Sequence, residues 1–294
     1  MDLSKFLEVN GLSFGAAARK VNLDRTTVSR AARMEYPNWE QKQIEIMREL
    51  IEKHGYTEEG QDCIRVNTGV MVMTPSVSGF NSLAGELADP DGTLSSSIGM
   101  AIGPAERGKT YTSKWFCQSS DNAAYILYVD GFTLTQVLRD ICDAVAHTRP
   151  YSMSKCITTL EEHCRYQRRL IIIDEADKCP VKILETLRGV NERCNLPVLL
   201  VGEENLKAKI DQVPRLRSRI RKPVVLFGEA TEVDVATYYT QAAGISIGKE
   251  IAVMLARHSR GGFRTIVNEA GELARMANAS GIKTITETMV KQLS

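Results

Sequence analysis

Between about residues 77 and 227, short apolar runs alternate with longer segments of helical period. The runs are Ile98 to Ile102, Tyr125 to Val129, Leu170 to Ile173, Val198 to Val201 and Val224 to Phe227. Segments 109–118, 133–147, 152–168, 181–194 and 204–211 space their apolar residues as a helix does. Near-continuous apolar strands separated by helices predict a parallel sheet covered on both faces, because the crossover helices hide both sides of each strand from water. After Gly228 the strand signal stops, and 231–243, 248–258, 262–278 and 284–293 read as four helices.

The first 55 residues read as wholly helical. Their last segment, 40–51, carries Ile44, Met47, Leu50 and Ile51 at helical spacing. Gly55 after His54 closes it, Gly being the usual C-terminal cap. Residues 56–76 are polar and mixed apart from Val70-Met71-Val72-Met73, and read as a linker. The expected plan is an all-α domain over 1–55, a linker over 56–76, an α/β domain over 77–228 and a helical lid over 229–294.

Composition narrows the class. A chain of 294 residues with 43% hydrophobic and 25% charged content is of the ordinary soluble globular kind. No apolar run approaches the ~18 residues of a membrane-spanning helix, and the N-terminus lacks the basic-then-apolar order of a secretory signal. Seven cysteines without a C-x-x-C pair point away from a disulfide framework or zinc site and towards a reducing cytoplasm. The net charge of +1 says little, but its distribution says more. Five basic residues from Arg19 to Arg33 stand against Asp24 alone, and seven from Lys207 to Lys222 stand against Asp211 alone. Such patches are either solvated helix faces or the electrostatic footprint of a nucleic acid.

The first apolar run leads straight into Gly103-Pro104-Ala105-Glu106-Arg107-Gly108-Lys109-Thr110. This matches G-x-x-x-x-G-K-[ST], with a strand before it and a helix after it. In that pattern the glycines let backbone N–H groups wrap phosphates, and the helix N-terminus adds partial positive charge. Lys109 then reaches the β- and γ-phosphates of ATP, and Thr110 offers its hydroxyl to Mg²⁺. The third run ends in Asp174-Glu175-Ala176-Asp177. Carboxyl ends of strands line the ligand crevice of open α/β sheets. Asp174 is therefore placed to hold Mg²⁺, and Glu175 to orient and deprotonate the attacking water. Standing alone, these would be solvated acids at a strand end.

These motifs on this strand-helix plan resemble the AAA+ ATPases over roughly residues 77–290. Val198-Leu199-Leu200-Val201-Gly202 is similar to the family's sensor 1 strand, followed here by Glu203-Glu204-Asn205 in place of the usual Asn, Thr or Ser. Pro214-Arg215-Leu216-Arg217-Ser218-Arg219-Ile220 resembles the arginine-finger box, with Arg219 in the finger position. Gly261-Gly262-Phe263-Arg264 resembles the start of the lid helix that carries the sensor 2 arginine, here Arg264. Glu106 and Arg107 stand where the family has Gly and a small residue. The resemblance implies ATP and Mg²⁺ as cofactors and an ATPase stimulated by DNA or a partner, and the departures at Glu106 and after Gly202 point to slow hydrolysis without one. An arginine finger acting from a neighbouring subunit would make turnover depend on assembly.

Residues 14–33 read as a helix-turn-helix. Ala18 is small where two helices pack, Asn22 stands where the turn needs a left-handed residue, and Leu23 and Val28 supply core contacts. Asp24 is placed to cap the second helix. Arg25, Thr26, Thr27, Ser29, Arg30 and Arg33 would then face the major groove or its phosphates. A protein-interaction bundle would pack in the same way.

An N-terminal helix-turn-helix joined to an AAA+ module of this length resembles the transposition ATPases, the group of the phage Mu target-DNA activator with TnsC and IstB as wider relatives. That resemblance implies ATP-dependent, largely non-specific binding to double-stranded DNA, self-assembly into a filament or ring, and delivery of the target to a transposase. Lys207 and Lys209, or the Arg165-Tyr166-Gln167-Arg168-Arg169 stretch, are candidates to follow the DNA backbone. Two other readings share the same motifs: a nucleotide-gated regulator that reads one operator, and a replication initiator or helicase loader.

Overall fold

Side chains along a strand alternate between its two faces, so a strand that is apolar throughout has to be covered on both sides. The computed structural model describes residues 2–54, 56, 64–89 and 97–293. Gly55 and residues 57–63 of the expected linker lie outside the described residues. The chain divides into two units, Met1–Arg65 with Ala274–Lys283, and Val66–Leu273 with Thr284–Ser294.

In the first unit α1 (Leu3–Val9), α2 (Phe14–Lys20), α3 (Arg25–Ala32) and α4 (Trp39–His54) surround a core of Leu3, Phe6, Leu7, Ala17, Ala18, Val28, Ala31, Ile46 and Leu50. Asp2 accepts from the Lys5 N–H at 2.8 Å to start α1, and Ser13 accepts from the Ala16 N–H at 3.2 Å to start α2. These are ordinary N-caps that satisfy otherwise orphaned helix donors. Gln43 is buried because its amide serves two such ends at once. It accepts from the Leu3 N–H at 3.0 Å and donates to the Ala31 carbonyl at 2.8 Å. Asn22 turns the chain between α2 and α3 at φ 49°. Asp24 flanks α3 but makes no side-chain cap, contrary to the expectation for it.

The second unit contains α5 (Pro75–Ala88), β1 (Ile98–Ile102), α6 (Lys109–Ser119), β2 (Ala123–Leu127), α7 (Leu134–Ala146), α8 (Met153–Cys164) and β3 (Leu170–Asp174). It continues with α9 (Val181–Cys194), β4 (Val198–Gly202), α10 (Glu204–Asp211), α11 (Pro214–Arg217), β5 (Val225–Leu226), α12 (Glu232–Ala243) and α13 (Lys249–His258). Last come α14 (Phe263–Ala279), whose final residues fall to the first unit, and α15 (Glu287–Val290). The strands form one parallel sheet in the order β2-β3-β4-β1-β5. Ile98, Met100, Ile171, Ile173, Val198 and Leu200 meet the apolar faces of α7, α8 and α9 on one side. Ala101, Leu170, Ile172, Leu199 and Val201 meet Phe80, Leu83 and Leu87 of α5 and Phe116 of α6 on the other.

Helix α5 lies outside the predicted segments. Its apolar positions are helically spaced, but Ser, Asn and two glycines dilute them, and the helix starts on a Thr74 cap and Pro75. Strand β2 begins two residues before the predicted run and ends at Leu127. The last predicted helix shrinks to the four residues of α15. Among the described residues no helix is long and apolar enough to cross a membrane.

Candidate nucleotide-binding site

The loop from Gly103 to Gly108 joins the buried end of β1 to the start of α6. Gly108 is the N-cap of α6 and takes φ 89°, a left-handed backbone that any side chain would strain. The free N–H groups at the start of α6 consequently open onto a cavity of 450 Å³. Its walls include Ala105 to Thr112, Glu175, Asp177, Gly202, Glu203, Phe263 and Arg264.

Lys109 is buried, and its Nζ donates to the carbonyls of Gly103 at 2.7 Å and Pro104 at 2.6 Å. Burial pushes its pKa down, against the pull of Glu203, Asp174, Asp177 and Glu175. Asp174 is 1% exposed and does not line the cavity. Its Oδ2 accepts from the Tyr125 hydroxyl at 2.9 Å and its Oδ1 from the Glu175 N–H at 2.9 Å. Burial, and then the Asp174 charge, push the Tyr125 phenol well above its ordinary value, so it stays a donor. Glu175 lines the cavity at φ 60°, a left-handed conformation uncommon for a non-glycine residue and frequent at functional sites. Its carboxylate pairs with Lys178 at 2.7 Å across a partly exposed surface.

The structure brings Lys109, Thr110, Glu175 and Arg264 to one cavity, whereas Gly103 and Pro104 do not line it. Of the three residues that follow β4, Glu203 faces the cavity while Glu204 and Asn205 do not line it. The Glu203 N–H is held by Asp177 Oδ1 at 3.1 Å. Arg219 does not line this chain's cavity; its side chain is 48% exposed and pairs with Glu192 at 2.8 Å. Thr110 and Asp174 offer a hydroxyl and a carboxylate, the hard oxygen donors that suit Mg²⁺.

Several wall residues escape motif reading. Thr68, Val70, Met71, Val72, Thr74 and Val77 come from the end of the expected linker and the start of α5, and Tyr238 and Val267 come from the C-terminal helices. The apolar stretch 70–73 ahead of Pro75 is the one signal that could have drawn attention to them. Tyr125 opens a predicted apolar run, but nothing in that run marks its hydroxyl as a partner of Asp174.

In the first unit Arg25, Thr26, Arg30 and Arg33 are exposed, and Thr27 and Ser29 are less open. Arg30 donates to the Glu35 carbonyl at 3.2 Å. Among the other basic candidates, Lys207, Arg165 and Tyr166 are exposed. Lys209 is committed instead to the carbonyls of Asp177 and Cys179, Arg168 is buried, and Arg169 donates to the carbonyls of Ala123 and Ala144. Those three cannot follow a DNA backbone without leaving these positions.

A parallel sheet in this strand order, with a phosphate loop after β1 and acids after β3, is the AAA+ P-loop fold. Residues 93–210 match the AAA domain family model. A potential ATP-binding protein of Staphylococcus aureus is 26% identical over 137 residues, 42% of this chain. The match spans about half, 48%, of that protein. Among solved structures, Cdc6p from Pyrobaculum aerophilum aligns over 78% of this chain and 70% of its own at TM-score 0.59 and 18% identity. The Aeropyrum pernix ORC1 protein, solved in complex with DNA, aligns over 76% and 65% at TM-score 0.57 and 15% identity. The Thermotoga maritima RuvB Holliday junction branch migration motor aligns over 75% and 68% at TM-score 0.51 and 20% identity.

Proposed function

We propose that this chain is an ATP-dependent DNA-binding ATPase that assembles on target DNA in the cytoplasm and delivers it to a transposase. The observation that carries the nucleotide half is the meeting of Lys109, Thr110, Glu175 and Arg264 on one cavity at the N-terminus of α6. Lys109 neutralises and holds the β- and γ-phosphates, and the backbone from Ala105 to Thr110 wraps them. Thr110 and Asp174 would hold Mg²⁺, which offsets charge on the phosphoryl oxygens. Glu175 orients the attacking water and accepts its proton, and Arg264 approaches the γ-phosphate from α14. Arg219, outside this cavity, acts on the nucleotide of the neighbouring subunit, so that bound ATP cements the assembly.

The DNA half rests on the exposed Arg25, Arg30 and Arg33, which suit contacts to phosphates as well as to base edges. Assembly repeats such contacts along the duplex and makes affinity fall steeply with salt. The solved ORC1 protein in complex with DNA shares this fold and supports DNA as a ligand. The likeness to Cdc6p and ORC1 also favours an initiator as the second reading. Footprinting on a long duplex separates them. Uniform protection that grows with ATP supports the transposition reading; protection of one defined site rejects it in favour of an initiator or regulator.

A further inference from the structure

Glu106 and Arg107 are the two residues of the phosphate loop that depart from a small-residue pattern, and both reach towards the start of α14. Glu106 grips that helix on both sides of Arg264. Its carbonyl accepts from the Phe263 N–H at 2.9 Å, and its Oε2 accepts from the Thr265 hydroxyl at 3.1 Å. The carboxylate thereby sits at the positive end of a 17-residue helix, a favourable place for negative charge. Glu106 takes φ 66°, a conformation usually left to glycine, so these bonds offset a backbone cost.

Arg107 makes a second attachment. It donates to the Arg260 carbonyl and, at 3.2 Å, to Glu229. Its side chain is 10% exposed whereas that of Glu229 is 77% exposed. The bond from the buried guanidinium to the Arg260 carbonyl therefore matters more than the solvent-screened ion pair. Gly261, at φ 68°, lets the chain pass: a Cβ there would come within 2.6 Å of Arg107 Nη1 and 2.5 Å of Glu229 Cβ.

We infer that Glu106 and Arg107 are positioning residues, which tie the phosphate loop to α14 and to the turn at Arg260 just before it, and so set where Arg264 stands over the cavity. The inference rests on the nucleotide reading of that cavity. A loop that rearranges around a γ-phosphate would then move α14 directly, and a shift of α14 would be felt at the phosphates. Simple packing of loop against helix would stabilise the fold without distinguishing ATP from ADP.

The test uses the full chain and Thr265→Val, which is nearly isosteric and removes the hydroxyl from Glu106 Oε2. Calorimetric titration with Mg²⁺ and either ADP or a non-hydrolysable ATP analogue should show about fivefold weaker binding of the analogue, the size of one hydrogen bond, with ADP affinity unchanged. Adding Thr265→Val to Arg264→Ala should produce no further loss, because the two act through one arginine. Equal loss for both ligands, or full additivity, overturns the inference. If the wild-type chain binds neither nucleotide, the functional reading fails by itself. Hydrogen exchange of residues 263–266 without nucleotide then decides: faster exchange in Glu106→Gly and in Arg107→Ala supports the attachment, and unchanged exchange in both overturns it.

Discussion

The Tyr125 hydroxyl donates to Asp174 Oδ2 at 2.9 Å from the neighbouring strand. In the register of β2 and β3, Tyr125 lies opposite Ile172, two residues before Asp174, so both side chains share a face. Together with the Glu175 N–H, the phenol fixes a carboxylate that is almost fully buried. Removing it with Tyr125→Phe leaves that carboxylate one donor short. We expect Mg²⁺-dependent nucleotide affinity to fall about fivefold, with binding in EDTA unchanged. Titrations with and without Mg²⁺ check this.

Lys109 is the cation of the cradle, yet burial holds its pKa below 10.5. Lys109→Met should abolish measurable ATP binding. It should also relieve the nucleotide-free fold of a desolvated charge. The sign of the pH effect follows from linkage: with the folded pKa below the unfolded one, the folded chain holds fewer protons in that window, so this group's contribution to stability improves as pH rises towards 10.5. In urea denaturation without nucleotide, any stability advantage of Lys109→Met should shrink from neutral pH towards alkaline pH. An advantage that widens would contradict the stated burial effect.

Arg219 stands off the cavity of its own chain. Arg219→Ala should therefore bind nucleotide with wild-type affinity and lose DNA-stimulated turnover by about a thousandfold, as for an arginine finger supplied in trans. Mixing it with a Glu175→Gln variant should restore part of the turnover, since one chain supplies the finger and the other the intact cavity. Recovery absent at every ratio would speak against action between subunits.

For Arg25, Arg30 and Arg33, substitution by alanine should weaken DNA binding about equally on unrelated sequences. The slope of log affinity against log salt should drop by about 0.9 for each phosphate left unneutralised. Fluorescence anisotropy over a salt series measures both quantities. A loss confined to one sequence would indicate base readout instead.

The sequence was most legible where one physical constraint spoke alone. Unbroken apolar runs marked the central strands, because burial on both faces leaves no polar positions, and the Gly-Lys-Thr end of the phosphate loop marked the start of α6. Helix α5 was hidden because its serines, asparagine and glycines weaken propensity while the buried face of Phe80, Leu83 and Leu87 supplies the stability. Strand β5 covers only Val225 and Leu226, although the Phe227 N–H still donates to the Ile102 carbonyl of β1 at 2.7 Å. At the site, local motifs located the loop and acids, whereas the Tyr125–Asp174 bond and the lining by Tyr238 and by Thr68 to Thr74 arise from tertiary packing, hinted at only by the apolar stretch 70–73. Among the basic candidates, Lys209 of the second patch and Arg169 of the 165–169 stretch serve as donors to backbone carbonyls of the fold.

The most direct test is to image the purified chain with random-sequence duplex DNA by negative-stain electron microscopy, with ATP and without nucleotide. The account predicts filaments or rings that coat the DNA only when ATP is present. Discrete particles at single sites, or no assembly in either condition, would contradict it.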